Sequence, residues 1–103
     1  MNQPSEKHFQ FRYALFPVNV HVKNDVLCVR YALKYFEIPI SKLKYFYVDE
    51  DRSRELIELL LCYPDRKGRL KRERIFSDRN DPAFESLITY LADRVKTGNL
   101  TGK

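Results

Sequence analysis

Along most of the chain, apolar and polar positions alternate one by one; near the C-terminal end the spacing widens to three and four. Alternation places apolar side chains on one face of a β-strand, and the wider spacing places them on one stripe of a helix. Phe9, Phe11, Tyr13 and Leu15 alternate with Gln10, Arg12 and Ala14, which predicts a half-buried strand after a loose polar lead-in over 1–7. Pro17 interrupts this pattern and predicts a bend or an edge position. Val18, Val20 and Val22 mark a second strand and Val26–Tyr31 a third. Asn24 and Asp25 between them both tolerate positive φ, so a two-residue turn and a hairpin are expected. A tight turn near Ala32 and Leu33 leads into a fourth strand over Lys34–Pro39. Residues 40–43 fit one irregular turn with Ile40 and Leu43 pointing inward, followed by a fifth strand over 45–48 and a solvated, charged loop over 49–54. Residues 56–63 are apolar on both faces apart from Glu58, which predicts a central strand covered on one side by the helix. Turn chemistry over 64–68 predicts a hairpin loop, and 70–76 a seventh strand.

The helix is expected over 81–96. Phe84, Leu87, Ile88, Leu91 and Val95 form its apolar stripe, which must press on the sheet formed by the preceding strands. Asp81 suits the N-cap and Pro82 the first helical position, where no N–H donor is needed. Lys96 complements the negative end, Gly98 can adopt the left-handed stop, and 99–103 is read as a fraying tail.

Composition agrees with a β-rich domain. The 103 residues include 7 Phe and 7 Tyr, and aromatic residues favour strands. One domain over 1–103 is expected, with an ordered core from about residue 9 to about residue 97. The formal charge of +5 is compatible with an anionic partner without demanding one. Cys28 and Cys62 are far apart, form no C-x-x-C, and read as small apolar strand residues; a disulfide between them stays open. The polar start lacks the apolar core of a signal peptide, and the longest apolar run, 59–63, is too short to span a bilayer. A cytoplasmic location is the expectation.

The order of elements carries a resemblance. A strand, the Asn24-Asp25 turn, a strand, then Phe36-Glu37-Ile38-Pro39-Ile40-Ser41-Lys42-Leu43 and a further strand resemble the small bacterial pleckstrin-homology-like domains, in which an I-P-x-x-x-I/L step leads into the fifth strand. A hairpin and a capping helix follow there too, so the likeness covers about residues 9–97. It implies a mainly β (α+β) fold: a seven-stranded antiparallel barrel or sandwich capped by one C-terminal amphipathic helix. It also raises the binding of phosphoinositide headgroups, which eukaryotic members perform with a basic motif across the first hairpin. Here that connection, Phe16-Pro17, carries no cation, only Arg12 lies near it, and the chain has no Trp. Function sits in sites grafted onto a fold, so the residues themselves must carry the argument.

They carry little catalysis. No closely spaced cluster of His, Cys and carboxylates stands out for a metal, and His21 is expected to face solvent between Val20 and Val22. The acidic triplet Asp49, Glu50 and Asp51 reads as a solvated loop. G-x-S-x-G and glycine-rich phosphate loops are missing, so neither an enzyme nor a small-molecule cofactor is expected. The strongest charge feature is Arg66, Lys67, Arg69, Lys71, Arg72 and Arg74 on the last hairpin. Two readings follow. In the first, the chain is a non-catalytic module that binds a protein partner or itself, through tyrosines among Tyr35, Tyr45 and Tyr47 or through a strand edge. In the second, residues 66–74 bind an anionic ligand, a phospholipid headgroup at a membrane surface or nucleic acid. The bland alternative for those cations is an edge strand protected against edge-to-edge pairing.

Overall fold

In the computed structural model, which describes residues 6–51 and 55–95, two antiparallel sheets are followed by one helix. The first sheet is a meander of β1 (Glu6–Tyr13), β2 (Phe16–Lys23), β3 (Val26–Tyr31) and β4 (Lys34–Pro39). A single 3-10 turn, Ile40–Lys42, leads to the second sheet, built from β5 (Tyr45–Asp51), β6 (Leu56–Pro64) and β7 (Leu70–Asp78). The helix α1 spans Pro82–Ala92.

Three two-residue turns set the register of the first sheet. Asn24 and Asp25 both take positive φ, as expected of a turn whose twist matches that of the strands. Ala14-Leu15 and Ala32-Leu33 turn with only the first residue at positive φ. The expected strand through Leu15 therefore ends at Tyr13, and Leu15 stands at a turn, largely exposed. Pro17 lies inside β2, but beyond the stretch paired with β3, so its missing N–H breaks no ladder on that side. Glu6 and Lys7, expected in a loose lead-in, belong to β1.

β5 runs on to Asp51, past the expected end at Val48; residues 52–54 of the expected loop lie outside the described residues. The helix is shorter than its apolar stripe suggested. Asp81 caps it by accepting from the Ala83 amide at 3.0 Å, and Asp93 closes it. At the end the Arg94 guanidinium lies over the Tyr90 ring and donates to the Tyr90 carbonyl at 3.1 Å, which satisfies one of the last-turn carbonyls. Val95 still turns inward and is buried. Lys96, Gly98 and the tail lie outside the described residues.

One core joins both sheets and the helix. Phe11, Val18, Val20, Leu27, Val29 and Ile38 enter it from the first sheet, Phe46, Leu59, Leu61 and Ile75 from the second, and Phe84, Leu87 and Leu91 from the helix. The strand that α1 packs on most is β1, not β6 as the sequence suggested. Phe11 meets Phe84 edge to face at 5.2 Å, and Phe9 meets Tyr90 at 5.7 Å. The sheets are also pinned along β7. The Ala14 amide donates to Asp78 Oδ1 at 2.8 Å, the Tyr31 hydroxyl to the Arg74 carbonyl at 3.3 Å, and Lys34 pairs with Glu73 at 3.1 Å. These contacts step along β7 while stepping across the first sheet from β1 to β4, so β7 crosses the ends of those strands.

Candidate functional site

The six cations singled out from the sequence do not form one patch. Along β7, Ile75 and Ser77 are buried, and alternation assigns Lys71 and Glu73 to their side and Arg72 and Arg74 to the other. Arg66 and Lys67 are exposed at the hairpin tip. Arg69 is tied to Asp65, whose Oδ1 accepts from the Lys67 and Arg69 amides at 2.8 and 2.9 Å and whose Oδ2 lies 3.3 Å from Arg69 Nε. These contacts, the Arg69 amide first, hold the Asp65 carboxyl below its ordinary value. Arg74 Nε stands 2.9 Å from the buried Glu58 carboxylate. Arg66, Lys67, Lys71 and Arg72 have no acidic partner among the described residues.

Arg72 and Arg74 instead join an aromatic surface. The register aligns Tyr45, Cys62 and Arg72 across the second sheet, and beside them Tyr47, Leu60 and Arg74. Tyr45 and Tyr47 are half-buried, with ring centroids 5.5 Å apart. Cys62 is fully covered beneath Tyr45, Tyr47 and Arg72. Burial pushes its thiol up, outweighing the nearby arginine, so it is a covered apolar group and not a poised nucleophile. Cys28 and Cys62 are both free thiols, in different sheets. Phe46, between the two tyrosines, faces the core.

The outward face of the first sheet carries a constellation that the sequence reading missed. The register places His8, His21, Cys28 and Glu37 in one row across all four strands. Asn19, Arg30 and Tyr35 follow in the next row. The His8 and His21 rings stack with centroids 4.3 Å apart and planes 9° from parallel. Glu6 Oε2 lies 2.7 Å from His21 Nε2 and 3.6 Å from His8 Nε2. The hydrogen bond with His21 is the main reason that the Glu6 carboxyl is held low. A cavity of about 410 Å³ opens beside them, lined by His8, Asn19, His21, Cys28, Arg30 and Tyr35. Arg30 lies 4.7 Å from the Tyr35 ring centroid, and the Tyr35 hydroxyl donates to Glu37, whose carboxylate pushes the phenol up to about 12.

A histidine–carboxylate cluster therefore exists, contrary to the sequence reading. The missing signal was the turn. His8 stands six positions before Ala14 and His21 six after Leu15, so a two-residue turn there makes them cross-strand partners. Placing the break at Pro17 hid that symmetry.

No family model, no curated protein and no solved structure matches the chain. No helix among the described residues is long and apolar enough to cross a membrane.

Proposed function

We propose that the chain is a non-catalytic interaction module of the pleckstrin-homology-like class, and that it binds a protein partner or a second copy of itself through the outer face of its three-stranded sheet. The observation that carries this reading is the pairing of Tyr45 and Tyr47 over the apolar floor of Leu60 and Cys62, with Arg72 alongside. Tyrosine and arginine are, with tryptophan, enriched at the centres of protein interfaces, because each buries a large area while keeping a polar tip. β5 is also an outer strand of its sheet, with no strand partner on its far edge among the described residues, so it offers backbone groups to an added strand. The seven antiparallel strands and terminal helix support the family reading by their order; a barrel-like closure of the two sheets is part of the proposal.

A second reading has its own observation. Arg66 and Lys67 are exposed at the tip of the β6–β7 hairpin with no acidic partner among the described residues, as a phosphate-binding tip requires. Here the ligand is a lipid headgroup or nucleic acid.

One experiment separates them. Sedimentation of the chain alone, and recovery of partners on the immobilised chain, are measured at low and high salt. A tyrosine-centred protein interface predicts association that changes little with salt and weakens about tenfold or more in Tyr45→Ser/Tyr47→Ser. Association that falls steeply with salt and is lost in Arg66→Gln/Lys67→Gln, while the tyrosine variant binds normally, would replace the first reading with the second.

A further inference from the structure

Glu6, His8 and His21 bring three ligand atoms within 4.8 Å of one another on the outward face of the first sheet. We propose that they form a surface site for one divalent transition-metal ion of the zinc, nickel or copper class. This inference is independent of the docking face on the other sheet.

Donor chemistry comes first. Two imidazoles and one carboxylate suit these ions, whereas calcium and magnesium prefer sites built wholly from oxygen. Zinc sits about 2.0–2.2 Å from nitrogen and carboxylate oxygen, so ligand atoms around one ion stand about 3–3.6 Å apart. Both Nε2 atoms already approach the same Glu6 oxygen, at 2.7 and 3.6 Å. An ion placed among them takes over the His21–Glu6 contact, and any proton on the liganding Nε2 passes to Nδ1 or to solvent. The remaining closure needs only side-chain rotation, and the His8 side chain is 69% exposed, hence free to make it.

Preorganisation comes second. The two histidines oppose each other directly on paired strands. Phe9, Val20 and Val22 anchor the same strand pair from the core side, so register slip is blocked. The stacked rings keep the two nitrogens close, but their in-plane lone pairs run parallel, so the exposed His8 ring turns out of the stack for both to meet one ion. Three protein ligands leave at least one coordination position, and the adjoining cavity gives it room for water or a small ligand.

Cys28 lies next to His21 in the register but outside the ligand cluster. It therefore serves as an internal control.

The test is calorimetric titration of the metal-stripped full chain with zinc chloride, repeated with nickel and copper. Expected is one saturable site per chain that millimolar magnesium and calcium leave unoccupied, together with a zinc-dependent rise in melting temperature. Loss even of a group that merely supports a metal ligand costs about 10–100-fold in affinity, so His8→Gln, His21→Gln and Glu6→Gln should each weaken zinc by about tenfold or more. Cys28→Ser should bind zinc like the parent. The exposed His8 variant keeps the test readable should His21→Gln disturb the hairpin, and circular dichroism reports on that. Three results overturn the proposal: no saturable zinc binding, zinc affinity unchanged in His8→Gln/His21→Gln, or one ion bound per two chains with dimer formation, which would show that the site is not complete within one chain.

Discussion

The two sheets face water in different ways. In the first, burial alternates cleanly: Val18, Val20 and Val22 point into the core while Asn19 and His21 point outward. In the second, the middle strand β6 is closed on both sides. Leu59 and Leu61 enter the core, yet Glu58 and Cys62 on the opposite face are also buried, at 8% and 0% exposure. What covers Cys62 is long side chains from the flanking strands, Tyr45 and Tyr47 of β5 and Arg72 of β7. Glu58 has Arg74 Nε 2.9 Å away as its cation, an ion pair by distance and not an aligned hydrogen bond. Amphipathic side chains lay their apolar stems over the strand and keep their polar ends wet. A strand apolar on both faces therefore need not lie between two layers of backbone.

Removing core volume sharpens the contrast most. Leu61→Ala or Leu87→Ala should destabilise by about 2–5 kcal/mol, because each deletes methyl groups from a close-packed site and leaves a cavity. Leu60→Ala, on the outer face of the same strand, should cost about 1 kcal/mol, because its half-exposed site gives up less transfer energy and water fills the gap. Chemical denaturation compares them. Equal losses at Leu60 and Leu61 would mean that the outer face is packed like the core.

The arginines of β7 give the next largest difference. Arg74→Gln strips the buried Glu58 carboxylate of its cation and should cost about 1–2 kcal/mol. Arg72→Gln removes a cation without an acidic partner among the described residues and should stay within about 0.5 kcal/mol. From the sequence these were two equivalent surface cations. Only the register, which sets Arg74 two strand positions from Phe76 opposite Glu58, separates them.

That pair illustrates what the chain discloses before folding. Elements with strong local chemistry were legible: the Asn24-Asp25 turn, the Ile40–Lys42 turn, the Asp81 cap and Pro82 all specify their own geometry. Features set by weak or misleading local chemistry were not. Alanine has no preference for positive φ, so Ala14 gave no sign of a turn, and the nearby Pro17 pointed elsewhere. The histidine pair was lost with that turn, because cross-strand neighbours exist only once the register is known. Scattering of the hairpin cations over both faces of β7 follows from the period of two, but the ion pairs of Arg69 and Arg74 depend on where acids from other positions arrive.

The alanine turns offer a smaller, opposite effect. Ala14 and Ala32 hold φ of 55° and 49°. An L-residue there is penalised by about 1–2 kcal/mol, against about 0.5–1 kcal/mol of extra chain entropy lost by glycine on folding. Ala14→Gly and Ala32→Gly should therefore each stabilise the protein by about 0.5–1 kcal/mol, read as a higher denaturation midpoint. A loss of stability would mean that the surrounding strands, and not the turn residues, dictate these hairpins.

The loop between β6 and β7 is held by a different device, and it gives the smallest effect. Asp65 acts as an anchor: its carboxylate gathers the Lys67 and Arg69 amides, while backbone bonds join Asp65 to Arg69 and Gly68 to Asp65 at 2.7 and 3.0 Å. Only the ionised form accepts all of these side-chain contacts, so the carboxyl sits below its ordinary value of 3.8 in the folded chain. A depressed folded value means that stabilisation is complete above the unfolded value and is lost as pH falls through the folded one. The parent should thus exceed Asp65→Asn in stability at neutral pH, and the gap should close on the acid side of that ordinary value. A gap that persists in strong acid would show that the anchor works through shape alone, as the two alanine turns of the first sheet do.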